Sequence, residues 1–107
     1  MNDFSPLTGP FLELLDLTQS ATVDLAKTLA DLRTVELPDI SEALFATALA
    51  ELAAAKTQYQ HGHAFGAGRG LVKGLLFSRK ISSDQADALT RIFQDSADRL
   101  LISVRAG

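Results

Sequence analysis

The chain of 107 residues has no cysteine and no tryptophan, and it has only one methionine, one tyrosine and three prolines. Without cysteine there is no disulfide framework, thiol nucleophile or cysteine-ligated zinc site, which fits a reducing compartment. Apolar runs such as Leu75–Phe77 are far too short to cross a bilayer, and residues 1–10 lack the pattern of a signal peptide. We therefore expect a cytoplasmic protein that has no membrane partner.

Aromatic residues are also few, at 7% of the chain, whereas apolar residues together make up 47%. Many of these are leucine and alanine, a composition typical of a folded helical protein. At this length we expect a single domain over residues 1–107, with a short flexible N-terminus at 1–9 and a fraying C-terminus at 105–107. So small a core often gains stability from oligomerisation.

Apolar residues recur at helical spacing along most of the chain. This pattern predicts helices over 10–34, 39–60, 62–80 and 82–104, with an alternative in which the middle two merge into one long kinked helix. The connections are short, which favours antiparallel neighbours. The predicted fold is therefore all-α, a small antiparallel helical bundle of about four helices.

Two helix starts carry the spacing of a capping box, in which two side chains satisfy each other's backbone N–H groups. These are Asp39 with Glu42 and Ser82 with Gln85. In the first helix Asp24 lies off the apolar stripe, so we expect it on the solvated face. The predicted core consists of Leu15, Leu25, Leu29, Leu32, Leu49, Leu52, Phe65, Val72, Leu75, Leu76, Leu89, Phe93 and Leu100.

Glycine is concentrated in one segment. Five of the seven glycines lie within residues 62–74, and four of them recur at every fourth position: Gly62, Gly66, Gly70 and Gly74. A glycine inside a helix costs about 1 kcal/mol relative to alanine, so this segment is expected to form a sharp loop or a surface of close approach. A continuous helix is favoured over a loop, because it places the apolar side chains on one side and the glycines on the other.

Positive charge is concentrated in the same segment. Residues 56–80 hold five basic side chains and no carboxylate, although the net charge of the chain is −3. On the predicted helix, three of these cations border the glycines. We therefore predict a partner-binding surface composed of Gly62, Gly66, Arg69, Gly70, Lys73, Gly74 and Lys80.

The sequence leaves three uses of this surface open. Small residues at every fourth position let another helix approach closely. That helix belongs either to the same chain, whose carboxylates would then pair with the bordering cations, or to a second copy related by a two-fold axis. The third use is a surface kept open for an external partner.

Other chemistry has weaker sequence signals. The segment 66–70 lacks the Gly-Lys-Ser/Thr ending of a P-loop, and no β-strand is predicted before it. His61 and His63 fall on different faces of a helix with no third ligand nearby in sequence, so we expect polar histidines beside a helix irregularity. No serine lies in a nucleophile pattern. We predict no enzymatic activity, no cofactor and no metal.

These patterns predict a non-catalytic helical interaction protein, meaning a regulator, adaptor or inhibitor. It would bind another macromolecule through the glycine-striped basic helix face, as a homodimer, and an acidic protein is the partner that suits this strip. The alternative is a nucleic-acid-associated regulator that uses the same strip. The negative net charge and the lack of an aromatic platform for stacking bases argue against that alternative.

Overall fold

A computed structural model describes residues 17–106 of the chain as four α-helices joined by short loops. Numbered in chain order, the helices are α1 (Gln19–Arg33), α2 (Asp39–Ala54), α3 (Gln58–Phe77) and α4 (Ser83–Ala106). No β-strand occurs within the described range. The protein is therefore the small antiparallel all-α bundle that the sequence predicts.

The helices pack around a common core. Each helix packs against the next along the chain, α1 also packs against α4, and α2 contacts α4 across the bundle. Within residues 17–106, α1 and α3 do not contact each other. The radius of gyration is 13.1 Å, close to the value of about 13 Å for a compact domain of this length. Among the described helices, none is both long enough and apolar enough to span a membrane.

The first helix begins later than predicted. Thr18 is its N-cap, with a side-chain oxygen that accepts a hydrogen bond from the backbone N–H of Ala21 at 3.1 Å. A helix running from residue 10 through Thr18 is therefore wrong, because the capping threonine has extended backbone angles. Residues 10–16 of that predicted helix, together with Leu15 of the predicted core, lie outside the described residues.

One predicted capping box forms and the other does not. Ser82 and Gln85 cap each other, with hydrogen bonds of 2.8 and 3.1 Å between each backbone N–H and the other side chain. Asp39 is instead the first residue of α2, and Pro38 occupies the N-cap position without a side-chain hydrogen bond. The prediction of Asp39 as N-cap is wrong by one residue, since Pro38 supplies the carbonyl that accepts from the N–H of Glu42.

The glycine-rich segment is helical throughout. Helix α3 runs through all five glycines, which confirms a continuous helix and excludes the loop alternative. It is separate from α2, which ends at Ala54, six residues before its predicted end. Arg79 terminates α3 in the left-handed conformation with φ of 62°. The N–H groups of Arg79 and Lys80 bond to the carbonyls of Leu76 and Leu75 at 3.1 and 2.9 Å, the pattern of a Schellman motif.

The centre of the core is aromatic. Phe93 of α4 packs against Phe45 of α2 and Phe65 of α3, with ring centroids 5.4 and 5.7 Å away. Phe45 and Phe93 are almost completely buried. Nine predicted core residues are buried, namely Leu25, Leu32, Leu49, Leu52, Val72, Leu75, Leu89, Phe93 and Leu100. Three others, Leu29, Phe65 and Leu76, are partly buried against this cluster.

Candidate functional site

The two sides of α3 differ in what they contact. Its inner side buries His61, Ala64, Gly68, Val72 and Leu75 against the rest of the bundle. Its outer side carries the other four glycines, all of them exposed. We call this outer side the glycine strip, composed of Gly62, Gly66, Gly70 and Gly74.

The glycine strip contacts nothing within the described part of the chain. A Cβ atom built on any of its four glycines would have no described atom within 4 Å, apart from the helix's own backbone and chain neighbours. Over residues 17–106, the interpretation in which another helix of the same chain crosses this face is therefore wrong. Helices α1 and α2 do not pack against the four glycines, so the described residues leave the strip uncovered.

Gly68 is the exception among the five glycines. A Cβ atom built on it would lie 2.2 Å from Cζ of Phe93, far inside van der Waals contact. Gly68 is buried, and its lack of a side chain makes room for the Phe93 ring, which also packs against Phe45 and Phe65. The close approach that the sequence suggested thus occurs at the glycine that breaks the four-residue repeat.

Two of the three predicted cations lie beside the strip. Arg69 and Lys73 are on α3 and exposed, and neither has a carboxylate oxygen within 4.0 Å among the described residues. The guanidinium of Arg69 lies 5.7 Å from the ring centroid of Phe65, a cation–π distance. Lys80 was predicted on the same helix margin, but α3 ends at Phe77, so Lys80 lies in the loop before α4. The structure therefore brings together six of the seven predicted residues.

Two exposed aromatic residues frame the strip, and the sequence analysis missed them. Tyr59 and Phe77 are 81% and 83% exposed, at opposite ends of α3. They are eighteen residues apart, which at 100° per residue is five full turns, so they face the same side about 27 Å apart. This spacing of eighteen residues was the sequence signal that could have identified the two aromatic residues. Tyr59 also stacks on His63, with ring centroids 6.3 Å apart.

The two histidines occupy different environments. His61 is buried, and its Nε2 lies 2.9 Å from the backbone carbonyl oxygen of Ala97. This geometry makes Nε2–H a donor to a helix carbonyl of α4. His63 is exposed. The expected helix irregularity near them is wrong, since α3 is continuous there.

No group of three or more metal-ligating side chains occurs among the residues that are described.

A buried polar cluster joins α1 to α4, and the sequence analysis did not find it. Asp24 is buried rather than solvated, as is Ser96, whose hydroxyl donates to Oδ2 of Asp24 at 2.6 Å. Nε of Arg99 donates to Oδ1 of the same carboxylate. The buried side of α1 includes Asp24 and Thr28 as well as the predicted Leu25 and Leu32, so it is wider than the stripe that the leucines suggested. The cluster links α1 to α4 by side-chain hydrogen bonds.

Comparison of the chain with protein-family models, with curated protein sequences and with solved structures found no match. A small helical bundle hosts many unrelated functions, so the fold alone does not indicate one. What the protein does is therefore argued from the chemistry of its surfaces, above all from the glycine strip and the residues beside it.

Proposed function

We propose that this chain is a non-catalytic interaction protein that binds another macromolecule through the outer face of α3, and that it does so as a homodimer in the cytoplasm. The observation that carries this proposal is the open glycine strip. Each glycine at an exposed helix position costs about 1 kcal/mol relative to alanine. No described residue outside α3 comes within 4 Å of where the four Cβ atoms would stand.

The stability given up along α3 is therefore not recovered through contacts with the other described residues of the chain. Four exposed glycines amount to roughly 4 kcal/mol, a large part of the 5–15 kcal/mol that stabilises a small domain. Sequences that break a local rule without an internal compensation do so mostly at functional sites. A surface that lets a partner's backbone approach α3 closely is the compensation we infer.

The exposed aromatic residues support a protein partner. Large apolar side chains on a surface mark interaction sites when they are grouped, and aromatic residues are enriched among the anchors of protein interfaces. Tyr59 and Phe77 stand at the two ends of the strip. A partner helix laid along the strip would contact bare backbone in the middle and an aromatic ring at each end.

The positions of these residues are symmetric, which supports a second copy as that helix. Gly62 and Gly74, Gly66 and Gly70, and Tyr59 and Phe77 are each placed symmetrically about position 68. An antiparallel pair of α3 helices, with a two-fold axis at the level of residue 68, would set each glycine opposite a glycine. It would also set Tyr59 of one copy opposite Phe77 of the other. A two-fold interface requires a surface that is complementary to itself in this way.

The size of the strip bounds the strength of such a dimer. A helix of twenty residues is about 30 Å long, and with a contact width of about 10 Å it buries roughly 300 Å² per partner. Stable interfaces bury about 800 Å² per partner. We therefore expect a weak dimer whose population depends on protein concentration.

A measurement of mass in solution tests the dimer. The variant Gly66→Leu/Gly70→Leu fills the centre of the strip, where added side chains meet no described atom in the monomer. The matched control is Ala26→Leu/Ala30→Leu, which adds two leucines at the same spacing on an exposed part of α1. Sedimentation over a range of concentrations should show a dimer for the wild type and the control, and a monomer for the strip variant. Equal dissociation constants for all three proteins would overturn the proposal.

A nucleic-acid-associated regulator is the second candidate, favoured by the unpaired cations Arg69 and Lys73 beside an open helix face. Phosphate contacts make affinity fall steeply with salt. Fluorescence anisotropy with labelled duplex DNA and single-stranded RNA, at low and at physiological salt, separates the candidates. Binding at low salt that is lost at physiological salt supports nucleic acid, whereas no binding at low salt removes this candidate.

A further inference from the structure

A small cavity lies between α3 and α4, on the side of the glycine strip that carries the cations. It has a volume of about 90 Å³ and is lined by Phe65, Arg69, Val72 and Lys73 of α3 and by Thr90, Phe93 and Gln94 of α4. Sites for small molecules measure about 300–1,000 Å³, and an apolar cavity of about 150 Å³ binds benzene. The size of this cavity therefore suits one aliphatic side chain better than a metabolite or a nucleotide base.

The floor and the rim of the cavity differ in chemistry. Phe65, Val72 and Phe93 provide an apolar floor, and no carboxylate lines the cavity. Arg69 and Lys73, one helical turn apart, stand at the rim without a carboxylate oxygen within 4.0 Å among the described residues. The Arg69 guanidinium lies at cation–π distance from the ring of Phe65, and its N–H groups pair with no carboxylate among the described residues.

The polar side chains of α4 at the cavity, Thr90 and Gln94, already donate hydrogen bonds within their own helix. The hydroxyl of Thr90 donates to the carbonyl of Ala86 at 2.8 Å, and the amide nitrogen of Gln94 donates to Asp98 at 2.9 Å. The charged donors at the cavity are those of Arg69 and Lys73. Neither pairs with a carboxylate among the described residues. Two cations without an anionic partner among residues 17–106 favour an anionic ligand group, and the apolar floor favours an aliphatic group beside it.

We propose that this cavity receives one aliphatic side chain of a partner protein, and that a neighbouring aspartate or glutamate of the partner pairs with Arg69 and Lys73. This rests on the proposed function, because it names the chemistry of the macromolecule that the α3 face binds. Anchor side chains that fill well-packed pockets contribute much of the binding energy of protein interfaces, and a charge pair beside the pocket adds specificity. The glycine strip stays available to the second copy, because none of its four residues lines the cavity.

A peptide selection identifies the ligand chemistry. A phage library of random heptapeptides is selected on the immobilised full chain and counter-selected on the variant Arg69→Gln/Lys73→Gln. We expect enrichment of peptides in which leucine, isoleucine, valine or methionine stands next to aspartate or glutamate. No enrichment, or enriched peptides without acidic residues, would overturn the proposal.

A pair of threonine variants then tests the place of binding. Thr90 is exposed at the cavity, and Thr90→Phe puts a ring where the anchor would sit. The control is Thr22→Phe, since Thr22 is also exposed and also donates its hydroxyl to the carbonyl four residues earlier. The enriched peptide, labelled for anisotropy, should bind Thr90→Phe at least tenfold more weakly and bind the control as tightly as the wild type. Equal binding to both variants contradicts the proposal.

Two further measurements distinguish a loss of peptide binding from a loss of folding and from a loss of the dimer. Thermal unfolding reports whether Thr90→Phe is folded, and if it is not, the exposed charge reversal Lys73→Glu serves in its place with the same expected loss. The variant Gly66→Leu/Gly70→Leu should still bind the peptide, so failure of the dimer and failure of the cavity are distinguished. If Thr90→Phe instead becomes monomeric while the control stays dimeric, the cavity's occupant is a second copy, and the assignment to another protein is wrong.

Discussion

Gly68 lies so close to Phe93 that a Cβ atom on it would stand 2.2 Å from Cζ of the ring. Phe45 and Phe65 both pack against this ring, which restricts its movement. This contact separates one structural glycine from four glycines whose missing side chains would meet no described atom of the chain. Replacing each glycine by alanine and measuring the free energy of unfolding therefore distinguishes the two kinds.

The first prediction compares Gly68→Ala with Gly66→Ala. Overpacking at position 68 should cost about 1–3 kcal/mol, more than the gain of about 1 kcal/mol in helix propensity, so the free energy of unfolding should fall. At position 66 the added methyl meets nothing, and the free energy of unfolding should rise by about 1 kcal/mol. Urea unfolding at concentrations where the chain is monomeric measures both. A rise for both variants would mean that Phe93 adjusts.

The second prediction concerns the buried cluster of Asp24, Ser96 and Arg99. Removing Arg99 leaves a buried carboxylate with Ser96 as its remaining side-chain partner, so Arg99→Ala should lower the free energy of unfolding by about 2 kcal/mol. The double variant Asp24→Ala/Arg99→Ala should lose less than the sum of the two single variants. Chemical denaturation of the full cycle gives the coupling energy.

The exposed ion pair between Lys27 and Asp31, at 3.1 Å, is the control for that cycle. Both side chains are about half exposed, so Lys27→Ala should change the free energy of unfolding by less than about 0.5 kcal/mol. If the coupling energy between Asp24 and Arg99 is also below about 0.5 kcal/mol, burial does not strengthen their ion pair.

The third prediction concerns the end of α3. Arg79 adopts a φ of 62°, a conformation in which glycine is normally found. Arg79→Gly removes the crowding of its Cβ atom and should raise the melting temperature, by an amount equivalent to about 1 kcal/mol. Lys80→Gly, one residue later and without positive φ, should lower the melting temperature slightly. Calorimetry of the two variants decides whether the left-handed residue is strained.

The fourth prediction compares the two helix starts. Ser82→Ala breaks a capping box whose two hydrogen bonds are both formed, and it should cost about 1 kcal/mol. Asp39→Ala removes only a first-turn charge, because its side chain caps nothing, and should cost about 0.3 kcal/mol. Equal losses in thermal unfolding would mean that Asp39 caps α2 in solution.

The sequence predicted the helices well because their spacing and their caps are local properties. The capping box at Ser82, the end of α1 before Pro38 and the continuous helix through the glycines all follow from residues within a few positions of one another. The start of α1 was harder, since Thr18 fits both an apolar seam and an N-cap. Its role depends on the hydrogen bond to Ala21, which periodicity does not reveal.

The site was predicted only in part, because some of its properties depend on contacts between distant segments. Periodicity placed Gly68 with the other glycines, whereas Phe93, twenty-five residues later, gives it a separate role. Asp24 looked solvated for the same reason, since Ser96 and Arg99 are more than seventy residues away. The cavity beside Arg69 likewise needs Thr90 and Gln94 of another helix.

The bare outer side of α3 also has a consequence for hydrogen exchange. Side chains normally shield the peptide groups of a helix from water, and four exposed glycines remove that shield from the middle of α3. Amide protons between residues 62 and 74 should therefore exchange with deuterium sooner than those of α4, which carries no glycine. A partner bound to this face would slow that exchange. Hydrogen exchange at these amides would therefore detect binding without an attached fluorophore.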